Sequence, residues 1–157
     1  MFRPIQNRSA ADAALWRCPK CKRVFANRNQ THTCRTLHDL EHHFTNRDPV
    51  VREIYDRVAA IVNAIGPVII LPEKTRIAFQ VRMSFAQVTP RQHWLDGHFV
   101  LARRLEHPRF RKIETFSPKN HLHAFRLEKP DDVDDTFITW MREAYEVGEQ
   151  KHLRDNR

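Results

Sequence analysis

Between positions 49 and 65 the apolar residues fall at three- and four-residue steps. Val51, Ile54, Tyr55, Val58, Ile61, Val62 and Ile65 line one side, and Arg52, Glu53, Asp56, Arg57 and Asn63 take the other. That period predicts an amphipathic helix. Asp48 and Pro49 suit its cap and first turn, and Gly66-Pro67 ends it, with Gly as C-cap and Pro blocking continuation. The period then changes to two. Val68-Ile69-Ile70-Leu71 is a short apolar run, and Ile77, Phe79, Val81, Met83 and Phe85 alternate with Ala78, Gln80, Arg82, Ser84 and Ala86. This alternation predicts a half-buried strand, or two strands joined by a bend. Thr89-Pro90 reads as a turn. Further strands are expected at about 93–102, 112–116 and 121–127, separated by turns at His107-Pro108 and Ser117-Pro118-Lys119-Asn120. No long helical pattern intervenes, so the sheet should be mainly antiparallel.

The pattern also predicts an element at each end. Thr36, with Asp39 three residues on, suits the cap of a short helix from Leu37 to Phe44, interrupted at Thr45-Asn46-Arg47-Asp48. A closing helix is expected from about 131 to 151, with Asp131, Asp132, Asp134 and Asp135 at its start, where acids favour the positive end of the dipole. Val133, Phe137, Trp140, Met141, Ala144 and Tyr145 make its apolar stripe. The expected fold class is α+β. A mainly antiparallel sheet of about four to six strands has one amphipathic helix before it and another after it, and a small zinc-binding unit precedes the whole. Residues 1–14 read as a flexible lead-in, 15–45 as the finger-like unit and 46–153 as the α+β domain. A chain of 157 residues suits this plan of one ordinary domain with an appendage.

The front unit carries the chemistry. All three cysteines lie between positions 18 and 34, and an odd count suits a disulfide framework poorly. Cys18-Pro19-Lys20-Cys21 is a C-x2-C pair whose turn can present two sulfurs to one ion, and Lys20, Lys22 and Arg23 surround it with positive charge. His32-Thr33-Cys34 would complete a tetrahedral Zn2+ site as C-x2-C-x10-H-x-C. Cys34 with His38 is the alternative, C-x2-C-x12-C-x3-H, although Thr31 then stands where such fingers place a core leucine. A unit this short buries too little apolar surface to fold alone, so the metal would supply the missing stability. A redox C-x2-C is disfavoured, because that motif normally opens a helix after a strand.

Charge adds a partner class. The net charge is +8, and residues 1–36 hold eight Lys or Arg against one acid, while residues 72–127 hold eleven against four. The positive charge thus sits on the front unit and the sheet, which points to a polyanion, DNA or RNA first. Candidate phosphate contacts are Lys20, Lys22, Arg23, Arg28 and Arg35 in the front unit, with Arg103, Arg104, Arg109, Arg111 and Lys112 in the sheet. Phe110 and Trp94 are candidates for base stacking, although burial in the core is the commoner fate of such rings. No apolar run approaches the ~20 residues that span a bilayer. The first residues also lack the continuous apolar stretch of a secretory signal, so a cytoplasmic protein without membrane contact is expected.

Two stretches carry a family resemblance. One is LWRCPKCKRVFANRNQTHTC. The other runs from LEHHF through PVVREIYDRVAAIVNAIGPV and KTRIAFQVRMSFAQVTP to DDVDDTFITWMREAY. Together they resemble bacterial proteins carrying the uncharacterised domain DUF5655 behind a short Cys/His segment. The resemblance implies an α+β sheet domain and favours His32 with Cys34 as the second ligand pair. It implies no reaction.

Three roles compete. A zinc-containing nucleic-acid-binding protein leads. A protein-interaction adaptor is the alternative, with the acidic closing helix as a docking element. A hydrolase built on His121 and His123, with His93, His98 and His107 nearby in sequence, ranks lower. No carboxylate stands at a helpful spacing, and there is no Gly-rich phosphate loop, G-x-S-x-G or H-E-x-x-H.

Overall fold

The computed structural model describes residues 15–25, 28–29 and 38–151. Six strands form one fully antiparallel sheet: β3 Ile69–Pro72, β4 Ile77–Gln80, β5 Ser84–Pro90, β6 Leu95–Leu101, β7 Lys112–Ser117 and β8 Asn120–Leu127. Their spatial order is β3-β4-β5-β6-β8-β7, so the last hairpin folds back and puts β8 inside and β7 on the edge. Helix α1, Pro49–Ile65, precedes the sheet and helix α2, Asp135–Gly148, follows it. Ahead of these lie a two-strand hairpin, β1 Trp16–Arg17 with β2 Val24–Phe25, and a short 3-10 turn, Leu40–Phe44. The α+β class is as the pattern of periods predicts.

One face of the sheet makes the core. Ile77 pairs with Val88, Phe79 with Ala86, Ala86 with Phe99, and Leu95 with Leu127, and all of these side chains are buried. Helix α1 lays Val51, Ile54, Tyr55, Val58 and Val62 on that face, and α2 adds Phe137, Trp140, Met141, Ala144 and Tyr145. Phe99 stands at the centre, with ring centroids of Phe110, His123, Phe125, Phe137 and Trp140 within 5.1 to 6.3 Å. Aromatic pairs at such spacings add edge-to-face and tilted contacts to the burial of apolar area.

Helix α1 begins where expected. The Asp48 Oδ1 accepts from the Val50 amide at 3.2 Å, and Pro49 occupies the first turn. It ends at Gly66 for a different reason than a left-handed cap. Gly66 is extended, with φ 170°, and a Cβ there would lie 2.5 Å from the Tyr145 hydroxyl, which donates to the Pro67 carbonyl at 2.7 Å. Close approach by α2 therefore asks for glycine at this position.

The alternation over 77–85 is two strands joined by a bend, the second of the two readings the pattern allowed, with the Arg82 and Met83 amides donating to the Gly148 carbonyl at 3.1 and 3.0 Å across the bend. Other boundaries differ from the sequence reading. Thr89 and Pro90 are the end of β5, and the turn comes next, closed by Arg91 N to Trp94 O at 2.9 Å. The acids before α2 divide into a 3-10 turn, Pro130–Asp132, and a helix capped by Asp134, whose Oδ1 accepts from the Phe137 amide at 2.9 Å. At the front, the expected helix from Leu37 is the 3-10 turn, capped by Asp39, which accepts from Glu41 N at 3.2 Å. Thr36, the expected cap, lies outside the described residues. Leu40 and Phe44 from this turn pack against the main core.

Candidate metal unit and basic surfaces

The C-x2-C pair sits in the connection of the β1–β2 hairpin. The Cys18 amide donates to the Arg23 carbonyl and the Lys22 amide to the Cys18 carbonyl, both at 2.9 Å. Lys22 takes the left-handed conformation, φ 64°, that folds the chain back after the second cysteine. Its Nζ donates to the Pro19 carbonyl at 2.9 Å, and Arg17 Nη1 donates to the Lys22 carbonyl at 2.6 Å. Cys18 is buried and Cys21 half-buried. The Trp16 and Phe25 rings, register partners on the two strands, face each other at 6.1 Å.

This hairpin docks on the main sheet through polar contacts. Gln80 Nε2 donates to the Val24 carbonyl. Glu73, whose side chain is 4% exposed, receives Arg23 at 3.3 Å and Arg76 at 2.9 Å. Arg23 also stacks on Phe25 at 5.3 Å. Arg23 is therefore a docking residue here, rather than a surface contact for phosphate.

Of the four ligands expected for zinc, Cys18 and Cys21 lie on one turn, while His32 and Cys34 lie outside the described residues. The alternate ligand His38 donates its amide to the Pro72 carbonyl at 2.7 Å and sets its ring against His42 at 6.1 Å. Among the described residues no group of three His, Cys, Asp or Glu side chains is placed to hold a metal. Two thiol ligands at the mouth of a tight turn remain a chemically suitable half-site for Zn2+.

The two basic groups differ in their surroundings. In the sheet group, Arg103 makes a bidentate bond to Glu143 at 2.6 and 3.2 Å. Arg104 pairs with Glu106 at 2.8 Å, and Lys112 with Glu114 at 2.5 Å. Arg109 binds both oxygens of Asp134 at 3.0 and 3.1 Å and lies over Trp140. Arg111 alone of the five is exposed with no carboxylate on it among the described residues. In the front group, Lys20 and Arg28 are exposed with no carboxylate partner among the described residues, and Arg35 lies outside them. The stacking candidates are both engaged: Phe110 lies 4.7 Å from Trp140, and Arg126 covers Trp94 at 4.3 Å.

The strand histidines are satisfied. His123 is fully buried; its Nδ1 bonds the His121 carbonyl at 2.9 Å and its Nε2 accepts from the Leu105 amide at 3.0 Å. These bonds define the tautomer, with the proton on Nδ1. Burial lowers the His123 pKa, which keeps the ring neutral. His121 bonds Thr115 Oγ1 at 2.9 Å and the Pro118 carbonyl at 3.0 Å. Neither ring has a nitrogen left for substrate or metal.

A recess that the spacing of residues did not indicate gathers Arg47, Lys74 and Arg91 with His43. These come from separate segments, each unexceptional in its own window, so no local signal marks them.

A family description, domain of unknown function (DUF5655), matches residues 40–148. The chain belongs to the DUF5655 family. The matched span runs from the 3-10 turn to the end of α2 and so contains the whole six-strand sheet and both helices of the DUF5655 domain. No curated protein and no solved structure matches the chain. No helix among the described residues is long and apolar enough to cross a membrane.

Proposed function

We propose that this DUF5655 protein is a cytoplasmic zinc-binding protein that binds nucleic acid, with the front unit as the contact and the six-strand domain as its platform. The observation that carries the reading is the Cys18–Cys21 turn, closed by paired amide bonds in a hairpin that has almost no core of its own. Such a unit gains its stability from a metal. Lys20 and Arg28 on it, and Arg111 on the sheet, are cations not neutralised by a neighbouring carboxylate, which suits phosphate contact. His32 and Cys34 complete the proposed zinc ligand set. The docking reading of α2 has less support, because its apolar stripe is buried on its own sheet.

Metal analysis of the purified chain should return one zinc per molecule. An electrophoretic shift with DNA or RNA should be strongest at low salt and, for about three phosphate contacts, should weaken roughly as the cube of salt concentration. A folded, zinc-free protein that shifts nothing at low ionic strength would overturn the proposal.

A further inference from the structure

We propose that the recess between the 3-10 turn and the ends of β3 and β5 is a pocket for a phosphoryl group, independent of the zinc unit. Three cationic side chains from three segments line it: Arg47 from the turn before α1, Lys74 from the β3–β4 connection, and Arg91 just after β5. Thr75 and Thr89 add hydroxyls. No carboxylate lines the recess. Arg91 does reach Asp96 at 3.1 Å, but Asp96 also holds Arg126 at 2.8 Å, so one negative charge is shared by two guanidiniums. Among the described residues Arg47 and Lys74 have no acidic partner. The neighbouring carboxylate, Glu73, is turned away toward Arg23 and Arg76.

The second observation is a fixed framework. His43, only 6% exposed, forms one wall of the recess and is hydrogen-bonded to the Glu73 backbone. The recess is held in shape before any ligand arrives. Gln92 Nε2 donates to the Asn46 carbonyl at 2.8 Å, and the Asp48 amide donates to the Gln92 carbonyl at 2.9 Å, which ties the segment bearing Arg47 to the β5–β6 turn.

Size and donor set narrow the ligand. The volume is about 180 Å³, below the several hundred Å³ that enclose a whole drug-sized molecule. One phosphoryl group enters, and whatever carries it stays outside. Guanidinium, ammonium and hydroxyl donors around an acceptor-poor wall suit a terminal phosphate with three free oxygens better than a diester. Free phosphate esters and the 5′-phosphate end of a nucleic acid share this chemistry.

The test uses the full chain. Inorganic phosphate, titrated calorimetrically, should bind saturably in the millimolar range or tighter. Lys74→Gln and Arg47→Gln, both at exposed positions, should each weaken it by about tenfold, as expected for loss of a charge-assisted bond. Arg142→Gln, at an exposed position of α2 outside the recess, should leave it unchanged. A 5′-phosphorylated oligonucleotide binding more tightly than its 5′-hydroxyl twin, with the difference lost in Lys74→Gln, assigns the pocket to nucleic-acid ends. Equal binding of the two, with competition by phosphate limited to a nucleoside monophosphate, assigns it to free esters. Absence of saturable phosphate binding, or equal loss in the Arg142→Gln control, overturns the pocket and leaves the zinc and nucleic-acid reading standing on its own tests.

Discussion

The front hairpin and the six-strand domain are held by different forces. The domain encloses Phe79, Phe85, Phe99, Phe137 and a full complement of aliphatic side chains with essentially no exposure. The hairpin buries Cys18 and Phe25, and it meets the sheet through Gln80 and the doubly paired Glu73. Apolar burial is cooperative and insensitive to salt, whereas a two-residue ladder joined by ion pairs is neither. One region thus carries its own stability, and the other depends on what it is fastened to.

The largest test of that contrast is removal of the proposed zinc. Chelation should abolish amide protection across residues 16–25 while the amides of β5, β6 and β8 exchange as before; uniform loss across both regions would erase the distinction. Phe99→Ala should cost the domain about 3–5 kcal/mol in urea unfolding, because five rings close on that side chain and cannot collapse into the space; a cost under about 1 kcal/mol would mean the ring cluster is not the core. Glu73→Gln should cost about 1–3 kcal/mol, discounted for the part-exposed Arg76, and should raise hairpin exchange rates more than those of the sheet.

Acid should act last and most gently, and on the domain. Burial lowers the pKa of His43, His98 and His123 below 6.5, with Arg76 adding to the effect at His98. The unfolded chain therefore takes up protons first as pH falls through its own histidine range, near 6.5. Stability from these rings is complete above that value and declines below it, down to the lowered folded values. A thermal midpoint that rises between pH 7 and pH 5.5 would contradict the burial of these rings.

The sequence showed helix α1 because apolar period, acidic cap, Pro49 and Gly66 all agree there. It placed β8 nearly as well, expecting a strand over 121–127 where the fold has Asn120–Leu127. It left open whether β4 and β5 are one strand or two, because Val81, Arg82 and Met83 carry no turn residue and the bend is fixed from afar by the Gly148 carbonyl. Nor could it tell the two basic groups apart. Arg103 finds Glu143 and Arg109 finds Asp134 across 40 and 25 residues, so a window that counts local charge sees cations where the fold has ion pairs. The recess around His43 was hidden for the same reason: its lining meets only in three dimensions.

The four residues from Glu73 to Arg76 form an unusual hairpin connection. Such turns are ordinarily where a lineage can add or drop residues at little cost. Here Glu73 receives Arg23 of the front hairpin together with Arg76, while Lys74 and Thr75 border the recess, and the turn is pinned by Glu73 N to Arg76 O at 2.8 Å. A single inserted residue would exchange the sides on which these groups stand, undoing both neighbours at once. Length drift across the family should therefore accumulate elsewhere, in the stretch from Ala102 to Arg111, for example, and spare this one.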